Sequence, residues 1–106
     1  MKIGFDYGNT LTDPRLQRMA KELIGEHEVY VISAVRKHNI KLTHAKIWEL
    51  KIPFTDALVI PFDDWLAVPA LKLQACQQLG IELFVDDRLD TCVYLKMHGI
   101  LTLYVC

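Results

Sequence analysis

Long apolar runs, a strong net charge and patterned cysteines are all missing from this chain, and each absence removes a class of function. No stretch approaches the ~20 consecutive apolar residues of a membrane span. The amino terminus, where Lys2 and Asp6 bracket a short apolar run, is too brief and too charged for a secretory signal. No membrane association and a cytoplasmic location are therefore expected. The net charge is −1 with 24% charged residues, so nucleic acid is not an expected partner and any attraction for anions must be local. Cys76, Cys92 and Cys106 form an odd set without C-x-x-C spacing, which argues against a disulfide framework or a zinc knuckle and leaves them as small core or surface thiols. His27, His38, His44 and His98 lack H-E-x-x-H or other paired ligand spacing and read as solvated helix-face residues. Trp48 and Trp65 stand in separate segments with no aromatic series around them, and read as packing residues rather than a base-stacking platform.

What is present is a regular alternation. With 106 residues and 52% hydrophobic content, the chain has enough apolar material for one core, and a single domain spanning 1–106 is expected. Lys2–Tyr7 reads as a strand. Pro14–His27 reads as a helix with Asp13 as its cap, Pro14 at its first position, and Leu16, Met19, Ala20, Leu23 and Ile24 at helical spacing. Val29–Ser33 is a β-branched run suited to a strand buried on both faces. A helix over Asn39–Leu50, a strand over Ala57–Ile60, a helix over Pro69–Leu79 stopped by Gly80, a strand over Ile81–Val85, a helix over Leu89–His98 and a strand over Ile100–Val105 complete the series. Five strands alternating with four helices predict an α/β fold, a parallel sheet with helices on both faces.

In such sheets the chemistry gathers where the strands' carboxyl ends lie. Three strands end there in polar groups: Asp6, followed by the turn Tyr7-Gly8-Asn9-Thr10; Ser33; and Asp86 with Asp87. Lys72 precedes the fourth strand on its helix. Each of these also has a plain structural reading: Asp6 as a turn-former, Asp86 and Asp87 as the cap region of the next helix, Ser33 as a loop residue and Lys72 as a solvated charge. A second feature is the segment from Ser33 to Lys51, where Arg36, Lys37, Lys41, Lys46 and Lys51 stand against Glu49 alone. Cations at a helix start oppose its dipole, so Arg36 and Lys37 there suit an anionic partner, and a solvated lysine-rich face is the other reading.

Taken in order, these segments resemble the haloacid dehalogenase superfamily over nearly the whole chain. Its first motif is a strand followed by D-x-D-x-T, here Asp6-Tyr7-Gly8-Asn9-Thr10. Its second is an apolar strand ending in Ser or Thr, here Val29-Tyr30-Val31-Ile32-Ser33. Its third is the Lys of Lys72-Leu73-Gln74, and its fourth the acidic pair of Leu83-Phe84-Val85-Asp86-Asp87. The resemblance implies a three-layer, Rossmann-like five-stranded sheet in the order third, second, first, fourth, fifth strand, without a cap domain. It implies a Mg2+-dependent phosphomonoester phosphatase of the nucleotidase kind. In it Asp6 is the nucleophile that forms an aspartyl-phosphate, and Lys72 offsets the phosphoryl charge. Ser33, Gly8, Asn9, Thr10 and Arg36 hold the substrate, and Asp6, Asp87 and the Gly8 carbonyl hold the metal with Asp86 in support. The expected partner is a small phosphorylated molecule, a nucleotide among them, and the open site either admits a large substrate or is closed by a second copy of the chain. One departure bears on activity. Gly8 occupies the position where phosphatases of this family carry a second Asp that protonates the leaving oxygen, and the loss of such an acid typically costs ~10²–10⁴-fold in rate. Weak turnover is one expectation; a degenerate domain that binds phosphate compounds, a metal or a protein partner is the other.

Overall fold

A computed structural model describes residues 1–105. Its strands are β1 (Lys2–Phe5), β2 (Glu28–Val35), β3 (Asp56–Pro61), β4 (Leu83–Asp86) and β5 (Leu101–Tyr104), and its helices are α1 (Pro14–Leu23), α2 (Ile40–Glu49), α3 (Val68–Leu79) and α4 (Leu89–Met97). All strand pairs are parallel and the sheet order is β3-β2-β1-β4-β5, the order expected. The fold is therefore α/β, with crossover helices linking parallel strands.

Strand alternation builds two cores, one on each face. Ile3, Phe5, Val29, Val31 and Val85 point to one side and pack with Ala20 of α1 and Ile47 of α2. Tyr30, Ile32 and Phe84 point to the other and pack with Leu73 and Cys76 of α3 and Leu95 of α4. β1 lies between β2 and β4, so its last residue before the loop, Phe5, is wholly buried and delivers Asp6 to the middle of the carboxyl edge.

Local chemistry sets most boundaries. Asp13 caps α1 by accepting from the Arg15 amide at 2.9 Å, with Pro14 at the first helical position where its missing N–H costs nothing. Gly80 ends α3 in the left-handed region at φ 73°, where its Cβ-free backbone adopts the turn without strain. Elsewhere the structure departs from the sequence expectations. α1 stops at Leu23, not His27, so His27 lies in the turn before β2 rather than on a helix face, with its Nδ1 buried and without a hydrogen-bond partner. β1 ends at Phe5 rather than Tyr7, and Ser33 is not the end of β2, which continues to Val35. β4 starts at Leu83, because Ile81 is held in the turn after α3 by its bond to the Cys76 carbonyl. No helix is long and apolar enough to cross a membrane among the described residues.

Candidate functional site

The carboxyl edge gathers Asp6 from the end of β1, Asp86 from the end of β4, Asp87 one residue on, and Lys72 from the second turn of α3. Lys72 Nζ donates to Asp6 Oδ1 at 3.1 Å and to Asp86 Oδ2 at 2.7 Å. These three side chains are almost completely buried, at 2% exposure for Lys72, 6% for Asp6 and 0% for Asp86. The Asp6 backbone and the Asp86 carboxylate are each fixed by a further bond. The Asp6 amide bonds the Val85 carbonyl at 2.9 Å, and Asp86 Oδ1 accepts from the Arg88 amide at 3.1 Å. Asp87 is half-buried and accepts from the Thr10 hydroxyl at 3.5 Å.

Carboxylate oxygens of Asp6, Asp86 and Asp87 lie within 4.8 Å of one another. Three acids against one ammonium leave the cluster short of positive charge. Burial pushes Asp6 up to about 7, against the pull of Lys72, with Asp86 adding to the rise; burial likewise raises Asp86. The Lys72 ammonium is opposed by its own burial, yet Asp6 and Asp86 together hold its pKa above the ordinary value. An oxygen-only donor set with unbalanced negative charge fits a hard divalent cation such as magnesium and does not fit a soft metal. The nearest thiols take no part in it: burial pushes Cys76 up to about 12 and Cys92 up to about 11, so neither is a thiolate at neutral pH.

A cavity of about 130 Å³ opens over Asp6, walled by Gly8, Trp65, Val68, Lys72 and Arg88. The wider groove of about 410 Å³ beside Asn9 is a poorer candidate, because its ionisable side chains, Asp13 and Arg15, satisfy each other at 2.8 Å. The loop after β1 brings Gly8 and Asn9 to the cavity, Asn9 in the left-handed region at φ 55°. Thr10 is buried and turned to Asp87, and Ser33 is buried outside the cavity wall, where β2 contributes Ala34 instead. Arg36 lies outside the cavity, exposed, with its guanidinium 4.7 Å from the Phe62 ring and 5.9 Å from the Trp65 ring, and it donates to the Asp63 carbonyl. Lys37, Lys41, Lys46 and Lys51 are exposed and outside the cavity wall, on α2 and the turns that flank it.

Trp65 corrects its sequence reading as a packing residue. It is 49% exposed and forms part of the cavity wall, on a short turn between β3 and α3 capped by Asp64, which accepts from the Leu66 amide at 3.0 Å. Arg88 is the other residue that sequence reasoning missed. Both had a signal in their positions, Trp65 on a loop leaving the carboxyl edge and Arg88 directly after the acidic pair. Asp90, an acid in the first turn of α4, holds Arg88 through two bonds of 3.1 and 2.8 Å. No protein family and no curated protein matches the chain.

Proposed function

We propose that the chain is a capless, haloacid dehalogenase-like hydrolase that transfers a phosphoryl group from a phosphomonoester to Asp6 and then to water. The observation that carries this reading is the meeting of Asp6, Lys72, Asp86 and Asp87 at the carboxyl edge of a parallel sheet in the 3-2-1-4-5 order. Asp6 and Asp87, with the Gly8 carbonyl, would hold magnesium, and Asp86 would support them. Bound magnesium supplies the positive charge that lets a dianionic phosphoryl group approach a carboxylate.

The chain's own residues account for the rest. Lys72 holds one Asp6 oxygen at 3.1 Å and so orients the carboxylate whose attack on phosphorus begins the transfer. Burial holds Asp6 up at about 7, and a bound cation that offset the cluster's negative charge would favour its ionised form without a base, in a site with no histidine among the residues lining the cavity. Gly8 offers no proton to the leaving oxygen, so leaving groups that depart as weak bases are favoured. This feature also supports the second reading, a domain that keeps the phosphate site without useful turnover.

A phosphatase assay with and without magnesium, run beside Asp6→Asn, tests the proposal. Magnesium-dependent phosphate release that Asp6→Asn abolishes is the expected result, with acyl and aryl phosphates far ahead of alkyl phosphates and nucleotides. Gly8→Asp should raise the alkyl rate by a large part of the ~10²–10⁴-fold that a general acid supplies. A side chain fits there: nothing lies within 4 Å of a Cβ at Gly8, and its φ of −61° is open to any residue. No turnover of any phosphate would leave the binding-domain reading in place of the enzyme.

A further inference from the structure

We infer that the mouth of the cavity takes an aromatic leaving group carrying a negative charge, so that the substrates are aryl phosphates, with Trp65 against the ring and Arg36 on the anionic substituent. The inference rests on the phosphoryl-transfer reading above and narrows its substrate class.

The enclosed volume of about 130 Å³ falls well below the ~300–1,000 Å³ of pockets that swallow a whole small molecule. Only the reacting group is enclosed, and the rest of the substrate must lie across the rim. Trp65 forms that rim beside Asp6 and Lys72, and it is held there. The buried Phe62 ring packs against it at 4.2 Å and 49°, and the Arg88 guanidinium lies 4.6 Å from its centroid. A half-exposed indole fixed at the edge of a site offers a large contact area at little further loss of conformational freedom. Two cations flank Trp65, Arg88 in the cavity wall and Arg36 outside it with its guanidinium 5.9 Å from the indole, and they differ. Asp90 neutralises Arg88, whereas Arg36 has no carboxylate partner among the described residues. Its charge, held beside the two rings by the Asp63 carbonyl, suits an anion carried by the leaving group.

Gly8 points the same way by chemistry. As a bond forms from an Asp6 oxygen to phosphorus, the phosphorus–oxygen bond to the leaving group breaks and its electron pair departs on oxygen. A phenolate, the base of an acid with pKa ~10, leaves without a proton far more readily than an alkoxide and then takes one from water. A second water attacks phosphorus, the bond to Asp6 breaks, inorganic phosphate leaves and the remaining proton passes to solvent. Shape and reactivity thus select the same ligand.

Two non-hydrolysable probes, phenylphosphonate and methylphosphonate, titrated calorimetrically into the magnesium-supplemented protein, test the ring contact without any turnover. Phenylphosphonate should bind about tenfold more tightly, and 4-carboxyphenylphosphonate more tightly again. Trp65→Ala should remove the ring's advantage, Trp65→Phe should keep most of it, and Arg36→Ala should remove only the carboxylate's share. In turnover, Trp65→Ala should lower kcat/KM about tenfold for phenyl phosphate. Acetyl phosphate, whose leaving group also needs no proton but has no ring, should lose several-fold less than phenyl phosphate. Equal affinity of the native protein for the two phosphonates overturns the inference without recourse to any variant, as does an equal loss on both phosphates in Trp65→Ala. Magnesium-dependent turnover of acetyl phosphate with no preference for the ring would sink the aryl inference alone. No binding and no turnover of any probe would sink the phosphoryl-transfer reading with it.

Discussion

Lys72 is the residue on which the cluster's stability turns. Among the described residues its ammonium is the only cation in contact with two carboxylates that water barely reaches, so its removal would leave Asp6 and Asp86 buried side by side without compensation. Breaking a buried ion pair from one side typically costs ~3–5 kcal/mol. Lys72→Ala is therefore expected to lower unfolding stability by about that amount at neutral pH, measured by urea denaturation. The loss should shrink in acid, where the protonated carboxyls no longer need a counter-charge. Lys72→Arg should fare poorly too, because the planar fork does not fit the space of a compact ammonium held by α3 against β1 and β4.

At the scale of elements, the central strand depends on a close approach. Gly4 of β1 pairs with Phe84 of β4, and a Cβ at Gly4 would come within 2.7 Å of the Phe84 ring and 3.4 Å of Ile81. Phe84 is wholly buried in the core shared with α3 and α4, so its ring cannot swing away without displacing Leu73 or Leu95. Gly4→Ala should cost ~1–3 kcal/mol by overpacking. It should also loosen the strand that carries Asp6, seen as faster amide exchange at Phe5 and Asp6. The contrast with Gly8, where a side chain meets open space, separates a glycine kept for packing from one whose replacement the fold tolerates.

For the molecule as a whole, a bound cation should act as a clamp between β1 and β4, since the acids come from both strands. Ligation favours only the folded state, and saturation at 100 times the dissociation constant adds ~2.7 kcal/mol. Magnesium is expected to raise the Tm in calorimetry, and EDTA to reverse the rise. Asp87→Ala should abolish the shift while leaving the metal-free protein within ~1 kcal/mol of the native one, because Asp87 makes only a long bond to Thr10 and its loss relieves repulsion within the cluster. An unchanged Tm with magnesium in the native protein would remove the metal from the mechanism.

The sequence by itself determined the alternation of strands and helices, because β-branched runs, helical spacing, the Asp13-Pro14 start and the Gly80 stop are local signals that act over a few residues. It also marked Asp6, Lys72, Asp86 and Asp87, through their places at or before strand ends. What it could not carry was anything set by packing between distant segments. That Lys72 is buried between two acids rather than solvated depends on α3 lying across β1 and β4. That α1 ends at Leu23 depends on the start of β2, where Glu28 donates its amide to the Met1 carbonyl. Most of all, the tertiary structure decided the role of Trp65. Its neighbours in the chain say nothing about Asp6, Arg36 or Arg88, and only the return of β3 to the carboxyl edge sets an indole at the rim of the cavity instead of in the core.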